Sequence, residues 1–553
     1  MQFSFRAATI VVALAALTGC ASLPRERGYA ETGEYIAARR GVAPTVDAGS
    51  SAASIAVPEI PTEPVTADQA VRLAFLYNPR IRQEYARLGL GRAELEEARR
   101  VSNPSFGYNH LHSRLNSGSQ IGRSLSLSFT DLLLLPARKR FAAGELERLQ
   151  KAVADELLKL ATEVDIAWFG AVGAAQVSVM RDLVARSAEQ SATLAQRYFD
   201  AGNINRLQLD LEFAAAAQAR IAAVRAGADA LRARSELAGL IGLPASANWT
   251  IAQQLVAPPA TEFSADALVQ LALAQRLDLA AIQQEVALQE DLLGVTQRWR
   301  WLGAVEGGYE REHELDGDVI AGPTLSVELP IFNQGQAAIG RAQAQLVDSR
   351  ARLDALTFAV HSDVRLGLER LRVNRDIVER YRTALIPRRE QIVARSQEQV
   401  NFMLMGVFEL IVAKQQAYDA YQEYLEAVRD YWTARAELRR SVGGRLPDDD
   451  AVSEPTIGVD AILPADAAPA MDHSKMDMPM DHSKMDMPMD HSKMDMPMDH
   501  SKMDMPMDHS KMPMAPSGHD DQAPPADTNP ESAPGKPAKP DDAAATHHHG
   551  DTP

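Results

Sequence analysis

Cysteine is nearly absent. Cys20 is the one cysteine in 553 residues, which excludes an intrachain disulfide framework and a multi-thiolate metal centre. Aromatic residues make up only 6% of the sequence and the net charge is −17, and an acidic, aromatic-poor chain excludes nucleic acid as a partner. Beyond residue 17 no stretch offers the roughly 20 consecutive apolar residues that a membrane-crossing helix needs, so any crossing of a bilayer falls to strands. No nucleophile, base and orienting group stand in a recognisable arrangement, and no phosphate-binding loop is present. The chain is read as a non-enzyme whose energy comes from a partner.

What is present begins with Arg6 and an apolar run from Ala7 to Leu17, the layout of a secretory signal over residues 1–19. Leu17-Thr18-Gly19-Cys20 resembles the bacterial lipobox, which implies that Cys20 is acylated, palmitate included, and becomes the first residue of the mature lipoprotein. Ala21 at the following position implies the outer membrane as destination. Residues 20–65, rich in Ala, Gly, Ser and Pro, read as a lipidated linker without helical period.

The body that follows is duplicated. Ala67-Asp68-Gln69-Ala70-Val71-Arg72-Leu73-Ala74 recurs as Ala265-Asp266-Ala267-Leu268-Val269-Gln270-Leu271-Ala272, an offset of about two hundred residues. The same offset carries Leu125-Ser126-Leu127-Ser128-Phe129 onto Leu325-Ser326-Val327-Glu328-Leu329. Two repeats are predicted, 66–244 and 263–444, joined by a linker at 245–262. Each starts with a helix of about nine turns, 67–100 and 265–298. The period then changes to two. Strands are predicted at 104–113 and 121–131, joined by Leu115-Asn116-Ser117-Gly118, and at 302–313 and 319–329, joined by a turn containing Asp316-Gly317. In both hairpins an apolar face alternates with a polar one. Helices at 137–198 and 340–402 come next, each reaching roughly 90 to 95 Å at 1.5 Å per residue. They break at Gly202-Asn203 and at Met405-Gly406, and shorter helices return over 206–240 and 407–442 to end in Gly242 and in Gly443-Gly444. Alanine runs such as Ala214-Ala215-Ala216-Ala217 let neighbouring helices approach closely, and long antiparallel coiled coils follow.

A tilted strand of about ten residues matches a bilayer core, but four strands cannot close a barrel and an open edge is not tolerated in hydrocarbon. Several chains must therefore pool strands: two give eight, with an interior filled by side chains, and three give twelve, with a lumen.

On these residues the body resembles the TolC, or outer membrane factor, family, in particular its lipoprotein branch, which includes the copper and silver channel CusC. The carriers are the duplication, Asn78-Pro79, Leu329-Pro330-Ile331-Phe332-Asn333-Gln334-Gly335, Tyr198-Phe199-Asp200-Ala201-Gly202 and Gly406-Val407-Phe408-Glu409-Leu410. The resemblance implies a mainly α chain with a membrane β-barrel part: two hairpins per chain, a trimeric twelve-stranded barrel and an α-helical periplasmic tunnel. It also implies a homotrimer held in outer-membrane lipid, with the helices in the periplasm. The tip, at Gly202, Asn203, Met405 and Gly406, would dock a periplasmic adaptor protein and an inner-membrane pump of the RND type. The chain departs from the pattern at Leu134-Leu135-Pro136-Ala137-Arg138-Lys139-Arg140, where the first half lacks the Phe-x-x-Gly of the second.

His110, His112 and His313 fall on the hairpins, either lining a metal path or as solvated strand residues. Met403 and Met405 sit at the second tip, either passing soft ions or packing at the turn. After a linker at 445–470, a nonapeptide repeats from Met471 to Met514, with Pro479, Pro488, Pro497 and Pro506 as punctuation. Its polar, proline-broken composition predicts disorder, as does that of the Pro/Ala/Asp-rich stretch 515–553. The repeat presents Met471, His473, Met476, Met478, Met480, His482, Met485, Met487, Met489, His491, Met494, Met496, Met498, His500, Met503, Met505, Met507, His509, Met512 and Met514. Soft thioethers suit Cu(I) or Ag(I), and each imidazole adds a ligand, so the tail reads as a periplasmic metal sponge, a low-complexity solubilising tail being the bland reading. Three functions remain open at this stage: an export duct for Cu(I) or Ag(I), the same duct for drugs or other organic compounds, and a non-channel copper-storage lipoprotein. No cofactor is required by any of them.

Overall fold

Thr66 opens the body with a capping box, its hydroxyl accepting from the Gln69 amide and its own N–H donating to Gln69 Oε1 at 2.9 Å. The computed structural model describes residues 29–42, 62–112, 119–244 and 248–449. Cys20, the turn at 115–118 and the Met/His repeat lie outside the described residues.

Helix α1 (Tyr29–Arg40) lies within the stretch read as a linker. It buries Ile36 completely against the body, with Tyr29 and Tyr35 packed beside it and Tyr29 edge to face on Tyr85 at 4.8 Å, although its composition gives no periodic signal. Helices α2 (Ala67–Tyr77) and α3 (Pro79–Arg99) replace the one helix expected over 67–100. Pro79 cannot donate a backbone bond and pushes Asn78 into extended backbone, φ −66° and ψ 126°, which makes an elbow. Strands β1 (Ser105–His112) and β2 (Ser119–Ser128) lead into α4 (Phe129–Asp200) and α5 (Arg206–Ile241). The second half repeats this plan as α6 (Ala265–Gln275), α7 (Leu277–Arg298), β3 (Val305–His313), β4 (Val319–Val327), α8 (Gln336–Arg380), α9 (Ile386–Asn401) and α10 (Val407–Val442).

The elbows show the duplication at atomic detail. Asn78 Nδ2 donates to the Leu240 carbonyl at 2.7 Å, and in the second half Arg276 Nη1 donates to the Ser441 carbonyl at 3.3 Å. In each repeat the elbow thus grips the end of its own return helix. The residue that stops that helix is a left-handed glycine, Gly242 at φ +85° or Gly443 at φ +80°. A Cβ on Gly242 would lie 2.7 Å from the Tyr77 backbone, and one on Gly443 2.8 Å from Arg276 Cα, so conformation and space both demand glycine.

Helix α4 spans 72 residues, about 108 Å at 1.5 Å per residue, and starts before the expected residue 137, with Pro136 held inside its third turn. Between α8 and α9 a π-helical turn, Tyr381–Leu385, precedes Pro387. The wider turn lets the helix continue past a residue that has no amide to donate. Helix α4 packs along α5, α3, α7 and α10, and α10 packs along α8 and α9.

The core gathers where the halves meet at mid-length, around Leu88, Leu157, Met180, Leu237, Leu268, Tyr424 and Tyr431. The indole N–H of Trp168 donates to the Val65 carbonyl at 2.8 Å, tying α4 to the chain entering α2. Beside it runs a buried ion network. Asp165, whose side chain is 2% exposed, accepts from Arg40 at 2.5 and 2.6 Å and from Arg439 at 3.4 Å. Arg439 and Arg435 in turn reach Asp449 at 3.0 and 2.8 Å, and Arg435 reaches Asp448 at 2.7 Å. Burial pushes the Asp449 carboxyl up, but Arg439, the Leu446 amide and Arg435 outweigh it and hold the group below the ordinary carboxylate range. Its stabilisation is therefore complete above about pH 4, the unfolded value, and is lost as pH falls through the lower folded one.

Asp165→Asn keeps the shape and removes the charge, leaving Arg40 and Arg439 facing one another in a buried site. The expected cost is about 3 to 5 kcal/mol. It is read as a lower thermal midpoint, with tryptic cleavage at Arg39 and Arg40 preceding that of the body. An unchanged midpoint and unchanged cleavage would contradict the role assigned to the network.

Candidate membrane sheet and helical tips

The four strands form one antiparallel sheet in the order β1-β2-β3-β4, so the two hairpins join through β2 and β3. Direct partners in an antiparallel ladder share a face. The register places Phe106, Leu125, Tyr309 and Pro323 in one row and Leu127, Gly307 and Leu325 in the next. Their face also carries Tyr108, Ile121, Val305, Val319 and Val327 and, toward the hairpin turns, the polar residues Arg123, Arg311, His110, His112 and His313. The opposite face carries Ser105, Asn109, Ser124, Ser126, Glu306, Glu310, Glu312, Thr324 and Ser326, together with four glycines, and its large apolar members are Leu111 and Ile320. Ser105 and Ser126 hydroxyls meet at 2.7 Å across it, and Gln120 donates to Glu312. The apolar face has no cover: Leu325 is 72% exposed and Phe106 69%. Strands β1 and β4 each pair on one side only, so both edges of the sheet are open.

The two strand-to-helix junctions differ, at the place where the sequences of the halves diverge. In the second half Gly335 takes φ +78° and caps α8, leaving an irregular segment from Glu328 to Gly335 on which Phe332 is 94% exposed. The first half has no glycine there, and β2 runs straight into α4 at Phe129. Thr130 clamps this join to the second hairpin, its hydroxyl donating to the Gly303 carbonyl at 3.0 Å and accepting from the Val305 amide at 2.8 Å.

At the far end the tips form by one hydrogen-bond pattern. Gly202 N–H donates to the Phe199 carbonyl and Asn203 N–H to the Tyr198 carbonyl, both at 2.8 Å. Met403 N–H donates to Val400 and Leu404 N–H to Gln399, both at 2.9 Å. Met403 therefore occupies the place of Gly202, in the left-handed region at φ +58°, while Gly406 has ordinary backbone at φ −73°. The break expected at Met405-Gly406, where glycine offers the left-handed conformation, thus falls two residues earlier, at Met403. A side chain held in that conformation is strained and concentrates at binding surfaces. Phe402, Met403 and Leu404 stand 75%, 93% and 78% exposed, so Met403 does not pack at the turn; Met405 is half-buried. Behind them Tyr198 and Phe408 meet edge to face at 6.0 Å, joining the two tips.

His110 and His112 lie with ring centroids 4.5 Å apart, and His313 belongs to the same sheet face. Among the described residues no group of three or more His, Cys, Asp or Glu side chains is placed to hold a metal ion, and no helix is long and apolar enough to cross a membrane.

No family model matches the sequence, and no curated protein matches it. Solved structures do. The CmeC outer membrane channel of Campylobacter jejuni is 14% identical, with a TM-score of 0.59 over 72% of this chain and 91% of that one. CusC, whose crystal structures concern conformational changes accompanying folding and transmembrane channel formation, is 15% identical, with a TM-score of 0.58 over 68% and 92%. The open state of the MtrE outer membrane channel of Neisseria gonorrhoeae is 16% identical, with a TM-score of 0.57 over 73% and 95%. The mostly helical body with its small four-stranded sheet thus has the fold of the outer membrane factor channels.

Proposed function

We propose that this chain is one subunit of an outer-membrane export duct, a homotrimer anchored by acylated Cys20. The observation that carries the reading is the two-faced sheet with both edges open. Its apolar face suits lipid, its serine, glycine and glutamate face suits an aqueous lumen, and three copies close the edges into twelve strands. Bare apolar residues on the long helices, among them Phe358 at 76% and Val347 and Leu231 at 67%, supply surface for neighbouring subunits. The helices extend the lumen into the periplasm, where the apolar tip at Phe402, Met403 and Leu404 meets a periplasmic adaptor and, through it, an inner-membrane RND-type pump. The duct is passive and has no catalytic role. The substrate reading is Cu(I) or Ag(I), and it rests on the thioethers and imidazoles repeated from Met471 to Met514, a ligand set suited to soft monovalent ions.

Planar-bilayer recording of the purified full-length protein is expected to give discrete single-channel steps, and their absence would contradict the duct. Leu325→Lys puts a charge on the lipid face at a cost of about 2 to 4 kcal/mol per subunit, so it is expected to abolish insertion. Ser326→Lys, one residue along on the lumen face, inserts and changes the conductance. Equal behaviour of the two would reverse the assignment of faces. Deleting residues 471–514 is expected to lower copper and silver tolerance while leaving tolerance to organic compounds intact. Loss of both, or of neither, would remove the metal reading and leave the duct.

A further inference from the structure

The helices below the sheet stand in rows, and both ends of each row are bare. Nearer the sheet α3 and α7 pack on α4, and α8 packs on α7; nearer the tips α5 and α10 pack on α4, and α8 and α9 pack on α10. Helices α3 and α5 therefore close one flank of the subunit, and α8 and α9 close the other. Strand β1 follows α3 and strand β4 precedes α8, so the two open edges of the sheet lie above the same two flanks.

Each flank carries an apolar stripe that nothing in the described chain covers. On α5 the residues Leu209, Ala216, Ala223 and Leu237 are buried, at spacings of seven and fourteen, which is the seam against α4. Leu207, Leu211, Ala214, Ile221, Val224 and Leu231, at steps of three, four and seven, are exposed, Val224 and Leu231 at 66% and 67%. Residues two apart on a helix stand about 200° apart around its axis, so Leu207, Ala214 and Ile221 point away from α4. The other flank repeats the arrangement: Val364 and Leu371 are buried, whereas Leu366 and Val373, two residues on, are exposed, and the stripe continues through Ile377, Leu385 and Ile392. A helix with an apolar repeat on two opposite sides has surface for two neighbours, and within the subunit one side alone is covered.

The tips fix the heights. Gly202 and Met403 occupy equivalent places, so a residue of α5 stands level with the residue of α8 or α9 for which the two numbers sum to about 606. Leu231 then falls between Val373 and Ile377, Ile221 beside Leu385, and Ala214 beside Ile392. Closer to the tip Arg206 comes level with Glu398 and Asp210 with Arg395, opposite charges in both cases.

We propose that α8 and α9 of one subunit pack along α5 of the next, in a head-to-tail contact that three copies close into a ring. The inference deepens the homotrimer reading and rests on it, naming which surfaces meet and at what height. Ile392 seats over the small side chain of Ala214, Leu385 meets Ile221, and Val373 and Ile377 straddle Leu231, as knobs between the residues of a facing helix. Above them Leu90 of α3, 67% exposed, continues the contact toward Val347 and Phe358 of α8.

Cysteine cross-linking of the full-length protein in mild detergent tests this, with Cys20, the one native cysteine, leaving little background. Leu231→Cys combined with Ile377→Cys, treated with a short bismaleimide, is expected to give bands of two and three chains on a denaturing gel and none larger. Ile221→Cys combined with Leu385→Cys behaves the same way. Leu231→Cys with Ile392→Cys, at heights about 25 Å apart, stays as single chains. So does each variant with one introduced cysteine, because a head-to-tail contact keeps like positions apart. Linking in the single variants, equal linking of the mismatched pair, or bands beyond three chains overturns the interface. Native mass of the same preparations separates the two levels of failure. A mass of three chains without cross-links refutes this pairing alone, whereas a mass of one chain refutes the trimer with it.

Discussion

The open edges of the four-stranded sheet are the constraint on which the rest depends. A strand at a sheet edge presents a row of unpaired amides and carbonyls, and in hydrocarbon each such group costs several kcal/mol. Water satisfies them in a soluble protein, but this sheet presents to its surroundings a face of Phe, Leu, Tyr and Val that water does not favour. The two demands are met together only if the edges pair with other copies and the apolar face meets lipid. The length of the helices, the bare stripes on their surfaces and the exposed tip then take their meaning from one closed cylinder.

Within a subunit, duplication supplies a rigid mount for that sheet. The elbows at Asn78 and Arg276 grip the ends of the return helices, and glycines at 242 and 443 allow the backbones to touch. The ion network from Arg40 through Asp165 to Arg439 and Asp449 joins the N-terminal helix, the longest helix and the end of the body in one buried chain. Charges so deeply buried are a weak source of net stability, but any misplacement leaves one unpaired, so they specify how these segments meet. Thr130, shared between β2's exit and β3's entry, carries that order up to the hairpins.

Much of this was legible in the sequence, and the pattern of what was not is physical. Periodicity located the long helices, the return helices and the four strands, because each buries or exposes a regular face. The face assignment of Leu125, Leu127, Leu325 and Val327 followed from alternation alone. Boundaries set by single residues were harder. Neither elbow is read from periodicity, which predicts one helix over 67–100 and one over 265–298: Pro79 is the local signal for the first, whereas Arg276 makes the same elbow without a proline and carries no local signal. Helix α1 has no apolar stripe and is held by Ile36, Tyr29, Tyr35 and Arg40, contacts that exist only in the folded body. Pro136 falls just before the helix expected from 137, yet α4 takes it in; Pro387 falls inside the helix expected over 340–402, and a π turn carries the chain past it. At the tip, composition favoured Gly406, whereas the left-handed position fell to Met403, a choice that makes sense only if the exposed side chain has a partner. Cys20 and the Met/His repeat are legible as chemistry alone.

Hydrogen exchange of the outward-pointing amides of β1 and β4, measured beside the native mass of the protein in mild detergent, tests the central claim most directly. The account predicts a mass of three chains and protection at both edges equal to that of β2 and β3. A mass of one chain, with edge amides exchanging as freely as those of an exposed loop, would contradict it.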